Sequence, residues 1–174
     1  MTTTIRRLEG DDDVSDFRAP AVFARYLKEF ARQNQNRHYI GTTYIAITDD
    51  KKILGYATVA MASVPTDDMP AKLRKRLPSY PVPLLRLAQL AVDERHKGTG
   101  IGSNLLRRIL LLSSEMADKV GCAGVLTDAI PDAVASYRKH GFTPLGLEDG
   151  LTDLKASTTP MFLAMGTIKR AAEK

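Results

Sequence analysis

The segment that most constrains the fold covers residues 84–112 and reads LLRLAQLAVDERHKGTGIGSNLLRRILLL. Its first nine residues are mostly apolar and short enough to form a buried strand. A charged turn and three glycines follow, after which apolar residues recur at helical spacing. A strand, a glycine-rich turn and a helix N-terminus in this order predict an anion-binding site. Glycines let the backbone approach the anion, and the first amides of the helix point at it unpaired.

Two common phosphate-binding patterns do not fit this turn. The nucleotide-hydrolase loop requires Gly-x-x-x-x-Gly-Lys-Ser/Thr, and no lysine follows the glycines here. The dinucleotide fingerprint requires a third glycine where this chain has Ser103. A plain strand-to-helix turn with tolerated glycines is the alternative that the residues leave open.

The remaining patterns predict a mixed sheet flanked by helices within one domain over residues 1–174. Alternating residues at 39–48 and 53–63 predict a hairpin, with Gly55 at a bulge or a close backbone approach. Before the central segment, the sequence predicts a strand at 5–9, a helical region at 14–36 with a break or new start near Pro20, and a loop at 64–83 with a short helix at 71–77. After it, the sequence predicts a strand at 125–130, a helix from Pro131 to a cap at Gly141 and a strand beginning at Phe142. A polar connection at 148–159, a strand at 161–165 and a frayed tail at 169–174 complete the prediction.

Composition limits the classes of protein to which the chain can belong. No apolar run is long enough to span a membrane, and the N-terminal residues lack the apolar core of a signal peptide, so we expect a cytoplasmic protein. A single cysteine and three scattered histidines provide neither a disulfide framework nor metal-ligand spacing. The net charge of +5 is compatible with an anionic cofactor or a nucleic-acid substrate without requiring either.

Residues 95–100, Arg-His-Lys-Gly-Thr-Gly, match the Arg/Gln-x-x-Gly-x-Gly/Ala loop of the GNAT superfamily of acyl-CoA-dependent N-acyltransferases. The flanking strand and helix resemble those of the family, and a second feature lies downstream. Residues 133–142, AVASYRKHGF, resemble the Ala-x-x-x-Tyr-x-x-x-Gly-Phe element that closes the acyl-CoA site in many of these enzymes. The two features cover about residues 84–145.

The resemblance implies an α+β (α/β) fold with a mixed, mostly antiparallel sheet whose central strand is splayed. It also implies an N-acetyltransferase that uses acetyl-CoA. The strand backbone at Leu90, Ala91 and Val92 would pair with the pantetheine arm, and the loop amides would hold the pyrophosphate. The implied cofactor-binding residues are Leu90, Ala91, Val92, Arg95, Lys97, Gly98, Thr99, Gly100, Ile101, Gly102 and Ser103.

By the same resemblance, Tyr137 would lie near the thioester sulfur and act as the catalytic residue. A phenol can give a proton to a departing thiolate and recover it from solvent. The Val92 amide is a candidate for polarising the thioester carbonyl. Asp93 and Glu94 are expected to face solvent, so no general base is assigned. Without the family match, Tyr137 would be interpreted as a core aromatic.

A narrower resemblance covers most of the chain from Phe17 onward. The segments FARYLKEFARQNQNR, ILGYATVAMASV and PVPLLRLAQLAVD are similar to the GNAT-type toxins of bacterial toxin–antitoxin pairs. This resemblance implies aminoacyl-tRNA as the amine substrate and a small DNA-binding antitoxin as a partner. Many of those toxins carry an arginine where this chain has Gln89. Two basic sets would suit tRNA, namely Arg18, Arg25, Lys28, Arg32 and Arg37 on one helix face, and Lys72, Arg74, Lys75 and Arg76 in a loop.

Other interpretations stay open from the sequence. The acceptor could be a small-molecule or protein amine, in which case the basic residues serve solubility. A non-catalytic module that binds acyl-CoA or nucleic acid is the alternative from another class. A homodimer is also open.

Overall fold

In the computed structural model, which describes residues 2–145 and 158–174, seven strands form one sheet in the order β1-β2-β3-β4-β5-β7-β6. The pairings β1–β2, β2–β3, β5–β7 and β6–β7 are antiparallel. The strands are β1 (Thr3–Arg7), β2 (Thr42–Thr48), β3 (Ile53–Val64), β4 (Val82–Val92), β5 (Gly124–Ala129), β6 (Thr143–Pro144) and β7 (Thr159–Ala164).

The helices in the described residues are mostly short, apart from the one that follows the glycine-rich turn. They are α1 (Ala21–Arg25), α2 (Ala31–Asn36), α3 (Ala71–Arg74), α4 (Ile101–Lys119), α5 (Val134–Lys139) and α6 (Met165–Ala172). A π-helical turn, Tyr26–Phe30, joins α1 to α2, so residues 21–36 form one continuous helical segment. The predicted mixed, mostly antiparallel sheet with flanking helices is confirmed.

Predicted and observed boundaries differ most before α1. The helical region expected from residue 14 begins only at Ala21, with Pro20 at its N-cap, as a proline at that point favours. Phe17 is nevertheless buried, because the preceding segment packs it edge-on against Tyr56 at a ring distance of 5.6 Å. The apolar spacing that suggested a helix therefore reflects burial of an irregular segment.

The chain divides into two compact units, Met1–Ala60 with Leu87–Leu111, and Met61–Arg86 with Leu112–Lys174. In the first unit, buried side chains that include Leu27, Ile45 and Tyr56 form a core between strands and the residue 21–36 helical segment. In the second unit, Val82, Leu84 and Phe162 are among the buried residues of a separate core cluster.

The C-terminal residues correct one prediction. The expected frayed tail is the second half of α6, an eight-residue helix with Ile168 buried. Lys169 Nζ donates to Asp118 Oδ1 at 2.8 Å and to the Ser114 carbonyl at 3.2 Å. This helix has only two large apolar side chains, Met165 and Ile168, and the contacts of Lys169 with α4 add to its order. The predicted polar connection at 148–159 lies almost wholly outside the described residues.

Candidate active site

The glycine-rich loop forms where strand β4 ends and helix α4 begins. A single 3₁₀ turn, Glu94–His96, follows Asp93, and the backbone then passes through Gly98 at φ +74° and Gly100 at φ +87°. These angles belong to the left-handed region that favours glycine. Added Cβ atoms at both positions would meet open space. The loop therefore exposes bare backbone that a ligand can approach closely.

Helix α4 supplies three donors at this point. The Asn104 amide donates to the Gly100 carbonyl at 3.0 Å, at the start of the helical hydrogen-bond pattern. The amides of Ile101, Gly102 and Ser103 thus occupy the first three helical positions, which have no intrahelical acceptor. A helix of 19 residues places the positive end of its dipole at the same point. An anion with several oxygens, such as a pyrophosphate, suits this arrangement.

Asp93 is buried, which corrects the expectation that it faces solvent. Its side chain has no exposed surface and accepts four hydrogen bonds. Oδ1 accepts from the Arg95 amide and Arg95 Nε, both at 2.9 Å. Oδ2 accepts from the Arg18 amide at 2.9 Å and from Arg95 Nη2 at 2.8 Å. The Arg95 guanidinium and these amides hold the pKa of the Asp93 carboxyl well below its usual range. It is therefore a structural anion with no free lone pair for a base.

Arg95 is held by the same cluster. Besides its bonds to Asp93, Nη1 donates to Asp16 Oδ2 at 2.9 Å and Nη2 donates to the Asp16 carbonyl at 2.8 Å. The two carboxylates raise the pKa of the Arg95 guanidinium, with Asp93 contributing most. The Nε, Nη1 and Nη2 donors of Arg95 are thus all used within the protein. The side chain fixes the loop to the segment before α1, and its contribution to ligand binding would pass through the loop backbone.

Gly55 explains how α4 sits so close to the sheet. A Cβ at this position would lie 3.0 Å from each of the Ala91 carbonyl oxygen, Ile101 Cγ2 and Leu105 Cδ1. The register of β2 and β3 also shifts at this residue, since Ala46 pairs with Gly55 but Ile47 pairs with Ile53. The predicted bulge and the predicted close approach are both present, and they place the first turn of α4 against β3 and β4.

In the second unit, Tyr137 lies on α5 and is 7% exposed. Its ring meets Phe142 edge-on at 5.3 Å, and its hydroxyl is hydrogen-bonded to Thr127 on β5. Burial raises the pKa of the Tyr137 phenol, although the bond to Thr127 partly opposes this. The phenol is consequently protonated at neutral pH. The predicted helix start at Pro131 and the cap at Gly141, with φ +93°, are both confirmed.

A second tyrosine, Tyr56 on β3, was not singled out from the sequence. It is fully buried, stacks on Tyr26 at 6.3 Å and places its hydroxyl 2.7 Å from Gln89 Oε1. A tyrosine within an apolar strand has the appearance of a core residue. The sequence gives no signal for the contact, because Tyr56 and Gln89 belong to different strands.

The two basic sets differ in how many of their charges are already engaged. On the helix face, Arg25 pairs with Glu29 at 2.8 Å and stacks over Phe30, while Arg32 donates to the carbonyls of Glu9 and Asp12. Arg18 lies 3.7 Å from Asp16. In the loop set, Arg74 donates to the Asp67 carbonyl, and Lys72, Lys75 and Arg76 are exposed. The loop set thus offers the larger share of unengaged charge.

Comparison with known proteins places the chain in a family. Residues 40–144 match the model of the acetyltransferase (GNAT) domain. A tRNA-acetylating toxin of Mycobacterium tuberculosis is 33% identical over 138 residues, which are 78% of this chain and 80% of the relative. A probable toxin TacT of Sinorhizobium fredii is 26% identical over 136 residues, 72% of this chain and 70% of the relative. The chain belongs to the GNAT acetyltransferases.

Solved structures agree with this fold. AtaT complexed with acetyl-methionyl-tRNAfMet superposes with a TM-score of 0.85 at 24% identity, covering 98% of this chain and 99% of the other. A mutant of KacT gives 0.86 at 22% identity, with the same coverage. Enzymes of this family use acetyl-CoA, so the predictions of enzyme class and cofactor are confirmed. Within the described residues, no helix has the length and apolar character needed to cross a membrane.

Proposed function

We propose that this protein transfers the acetyl group of acetyl-CoA to the amino group of aminoacyl-tRNA and thereby acts as a toxin that blocks translation. The observation that carries the proposal is the similarity to the tRNA-acetylating toxin, which extends over four-fifths of that relative at 33% identity. Such an activity belongs in the cytoplasm. A small DNA-binding antitoxin would be the partner, by analogy with AtaT bound to the C-terminus of its antitoxin AtaR.

The cofactor-binding residues of this proposal are those of the strand end and the loop. The open glycines and the three free amides of α4 fit a pyrophosphate. Acetyl-CoA supplies the activated acetyl group when it is bound. The backbone of Leu90, Ala91 and Val92 would bind the pantetheine arm, and the loop residues Lys97, Gly98, Thr99, Gly100, Ile101, Gly102 and Ser103 would bind the phosphates. Arg95 would act by positioning this loop.

Tyr137 is the proposed catalytic residue, as the group that delivers a proton to the departing sulfur. Its buried phenol has a raised pKa and so retains its proton at neutral pH, which a general acid requires. The bond to Thr127 fixes the direction of the hydroxyl. No carboxylate is assigned as a base. The amine of an aminoacyl ester has a low enough pKa to be largely neutral at physiological pH.

A small-molecule or protein amine remains the second candidate acceptor. The observation that favours it is the engagement of the Arg25 and Arg32 guanidinium groups within the protein, which leaves fewer hydrogen-bond donors on the helix face for phosphates. The exposed loop residues Lys72, Lys75 and Arg76 favour the polyanionic substrate instead.

The deciding experiment is acetyl transfer from labelled acetyl-CoA to purified bulk aminoacyl-tRNA. We expect label in the tRNA fraction and a loss of roughly a hundredfold or more in kcat for Tyr137→Phe, with acetyl-CoA affinity nearly unchanged. Tyr44→Phe, in a half-buried tyrosine of β2, is the matched control and should retain activity. Thiol release with polyamines but not with aminoacyl-tRNA would overturn the substrate assignment. Full activity of Tyr137→Phe would overturn the role of this residue.

A further inference from the structure

The hydroxyl of Tyr56 has two oxygen neighbours in a buried environment. It lies 2.8 Å from the Phe23 carbonyl oxygen and 2.7 Å from Gln89 Oε1. Phe23 lies in α1 just before the π-helical turn, a type of distortion that is frequent at functional sites. Stacking on Tyr26 and edge contact with Phe17 hold the Tyr56 ring between them. The hydroxyl therefore cannot move away from either neighbour.

One hydroxyl hydrogen cannot serve both oxygens. Burial raises the pKa of the Tyr56 phenol, so it keeps its single proton and can donate only once. If Gln89 Oε1 faced the hydroxyl, one of the two close oxygen pairs would have no hydrogen between them. The Phe23 carbonyl already accepts from the Tyr26 amide, so the penalty would be the repulsion between two oxygens held within 2.8 Å of each other.

Exchange of the two ends of the Gln89 amide removes this conflict. The oxygen and nitrogen ends have nearly the same shape, so hydrogen bonding decides which end faces inward. With Nε2 inward, Gln89 donates to the Tyr56 oxygen, and Tyr56 donates to the Phe23 carbonyl. Every group then has the partner that its chemistry requires.

The amide oxygen of Gln89 then points away from Tyr56. Gln89 is partly exposed, and no buried side-chain oxygen or nitrogen among residues 2–145 and 158–174 lacks a partner. Since those residues provide no hydrogen-bonding group for the outer end of this amide, that end reaches accessible space. Gln89 thus presents a fixed acceptor whose orientation is set by Tyr56.

The position of Gln89 on β4 indicates what this acceptor faces. It directly precedes Leu90, Ala91 and Val92 along the strand, and the glycine-rich loop follows them at the other end. With the phosphates at the loop and the pantetheine arm along these three residues, the reacting end of the cofactor lies toward Gln89. This step rests on the proposed function.

We propose that Gln89 is a specificity-determining residue whose amide oxygen accepts a hydrogen bond from the acceptor amine, with Tyr56 and the Phe23 carbonyl fixing its orientation. A neutral primary amine has two hydrogens and one lone pair. Holding one hydrogen on Gln89 limits the directions in which the lone pair can point. The oxygen favours an acceptor with N–H groups, whereas a cationic side chain at this position would repel a protonated amine.

The orientation of the amide is tested on the free protein by NMR. We expect the Gln89 side-chain NH₂ signals, identified by their absence in Gln89→Met, to exchange slowly with water and to shift and exchange faster in Tyr56→Phe. Gln33, a half-buried glutamine of α2, is the internal reference. If the Gln89 NH₂ hydrogens exchange with water as fast as those of Gln33, and Tyr56→Phe leaves this rate unchanged, the nitrogen faces outward. That result would overturn the proposal.

Kinetics test the contact with the amine. We expect Gln89→Met to lower kcat/KM for aminoacyl-tRNA about tenfold, as expected for one lost hydrogen bond, with acetyl-CoA affinity unchanged. Gln33→Met should be neutral. Tyr56→Phe should give a smaller loss, and the double variant should lose less than the two single effects combined, because Tyr56 acts through Gln89. A folded Gln89→Met variant with unchanged kcat/KM would overturn the proposal.

These results separate the inference from the function on which it rests. If the native protein transfers nothing to aminoacyl-tRNA, the proposed substrate is wrong, and the same variants are compared on a small primary amine that the protein does acetylate. A lower kcat/KM of Gln89→Met for that amine would support the inference, and an unchanged kcat/KM would reject it. The NMR result stands in either case.

Discussion

At the scale of single residues, Asp93 connects two distant parts of the first unit, the turn that follows β4 and the segment before α1. Its carboxylate binds the Arg95 side chain, the turn that follows β4, and the amide of Arg18. Burial of a charge is tolerated only when its hydrogen-bonding capacity is filled, and here four donors fill it. This residue therefore determines the position of the loop without facing the ligand.

Replacing Asp93 by asparagine should make the protein less stable in a pH-dependent way. The folded-state pKa of Asp93 is lowered, so the unfolded state binds more protons in acid, and the stabilisation is present above about pH 5 and lost as the pH falls. We expect Asp93→Asn to cost about 2 kcal/mol at neutral pH and measurably less at pH 3, where the unfolded chain is already largely protonated while the folded carboxyl keeps its charge. Urea unfolding at several pH values measures this, with exposed Asp50→Asn as the control. A pH-independent difference would contradict it.

A second residue-scale prediction concerns the loop glycines. Gly100→Ala should lower acetyl-CoA affinity roughly tenfold or more, because it introduces backbone strain and places a methyl group on the open face of the loop. Gly121→Ala is the matched control, since Gly121 also has a positive φ, +98°, with open space around its Cβ position, but lies after α4. Calorimetric titration should separate the two variants, while their melting temperatures should fall alike. Equal affinities would argue against phosphate binding here.

At the scale of elements, the close packing of α4 on the sheet depends on a missing side chain. Gly55→Ala should destabilise the protein by about 1–2 kcal/mol, because the methyl group would lie 3.0 Å from three neighbours in the first two turns of α4 and in β4. Gly10→Ala should be neutral or slightly stabilising, since nothing lies within 4 Å of its Cβ position. Thermal unfolding of both variants tests this. A Gly55→Ala protein as stable as the native one would mean that α4 can shift freely.

The local elements of this site were predictable because short-range patterns determine them. The apolar run of β4, the glycines and the helical spacing of α4 lie within 29 consecutive residues. The burial of Asp93 was not predictable, because the Arg18 amide that it binds is 75 residues away in sequence. Helix α6 was missed for a similar reason, since Lys169 and Asp118 are 51 residues apart. The splayed central strand and the assignments of cofactor-binding and catalytic residues stay predictions.

At the scale of the whole molecule, the net charge is +5, and the basic residues of the loop set are freer to contact a partner than those of the helix face. Reversing the exposed charges Lys72, Lys75 and Arg76 to glutamate should raise KM for aminoacyl-tRNA and flatten its dependence on salt, because each phosphate contact adds about 0.7–0.9 to the salt slope. Acetyl-CoA affinity should not change. The control is the pair Lys51→Glu and Lys52→Glu, in the exposed turn between β2 and β3. Equal effects of both changes would indicate only a general attraction and no specific surface.

The attachment of the loop to residues 16–18 also affects how the protein acquires its binding site. Glu94 donates to the Arg18 carbonyl, Arg18 donates to Asp93, and Arg95 binds Asp16, so the loop is complete only when two distant parts of the chain have met. Helix α4 can begin to form from local contacts, but contacts of such high sequence separation form more slowly. During refolding, helical signal should therefore appear before the capacity to bind acetyl-CoA. A newly made chain would remain inactive until residues 16–18 have made contact with the turn that follows β4.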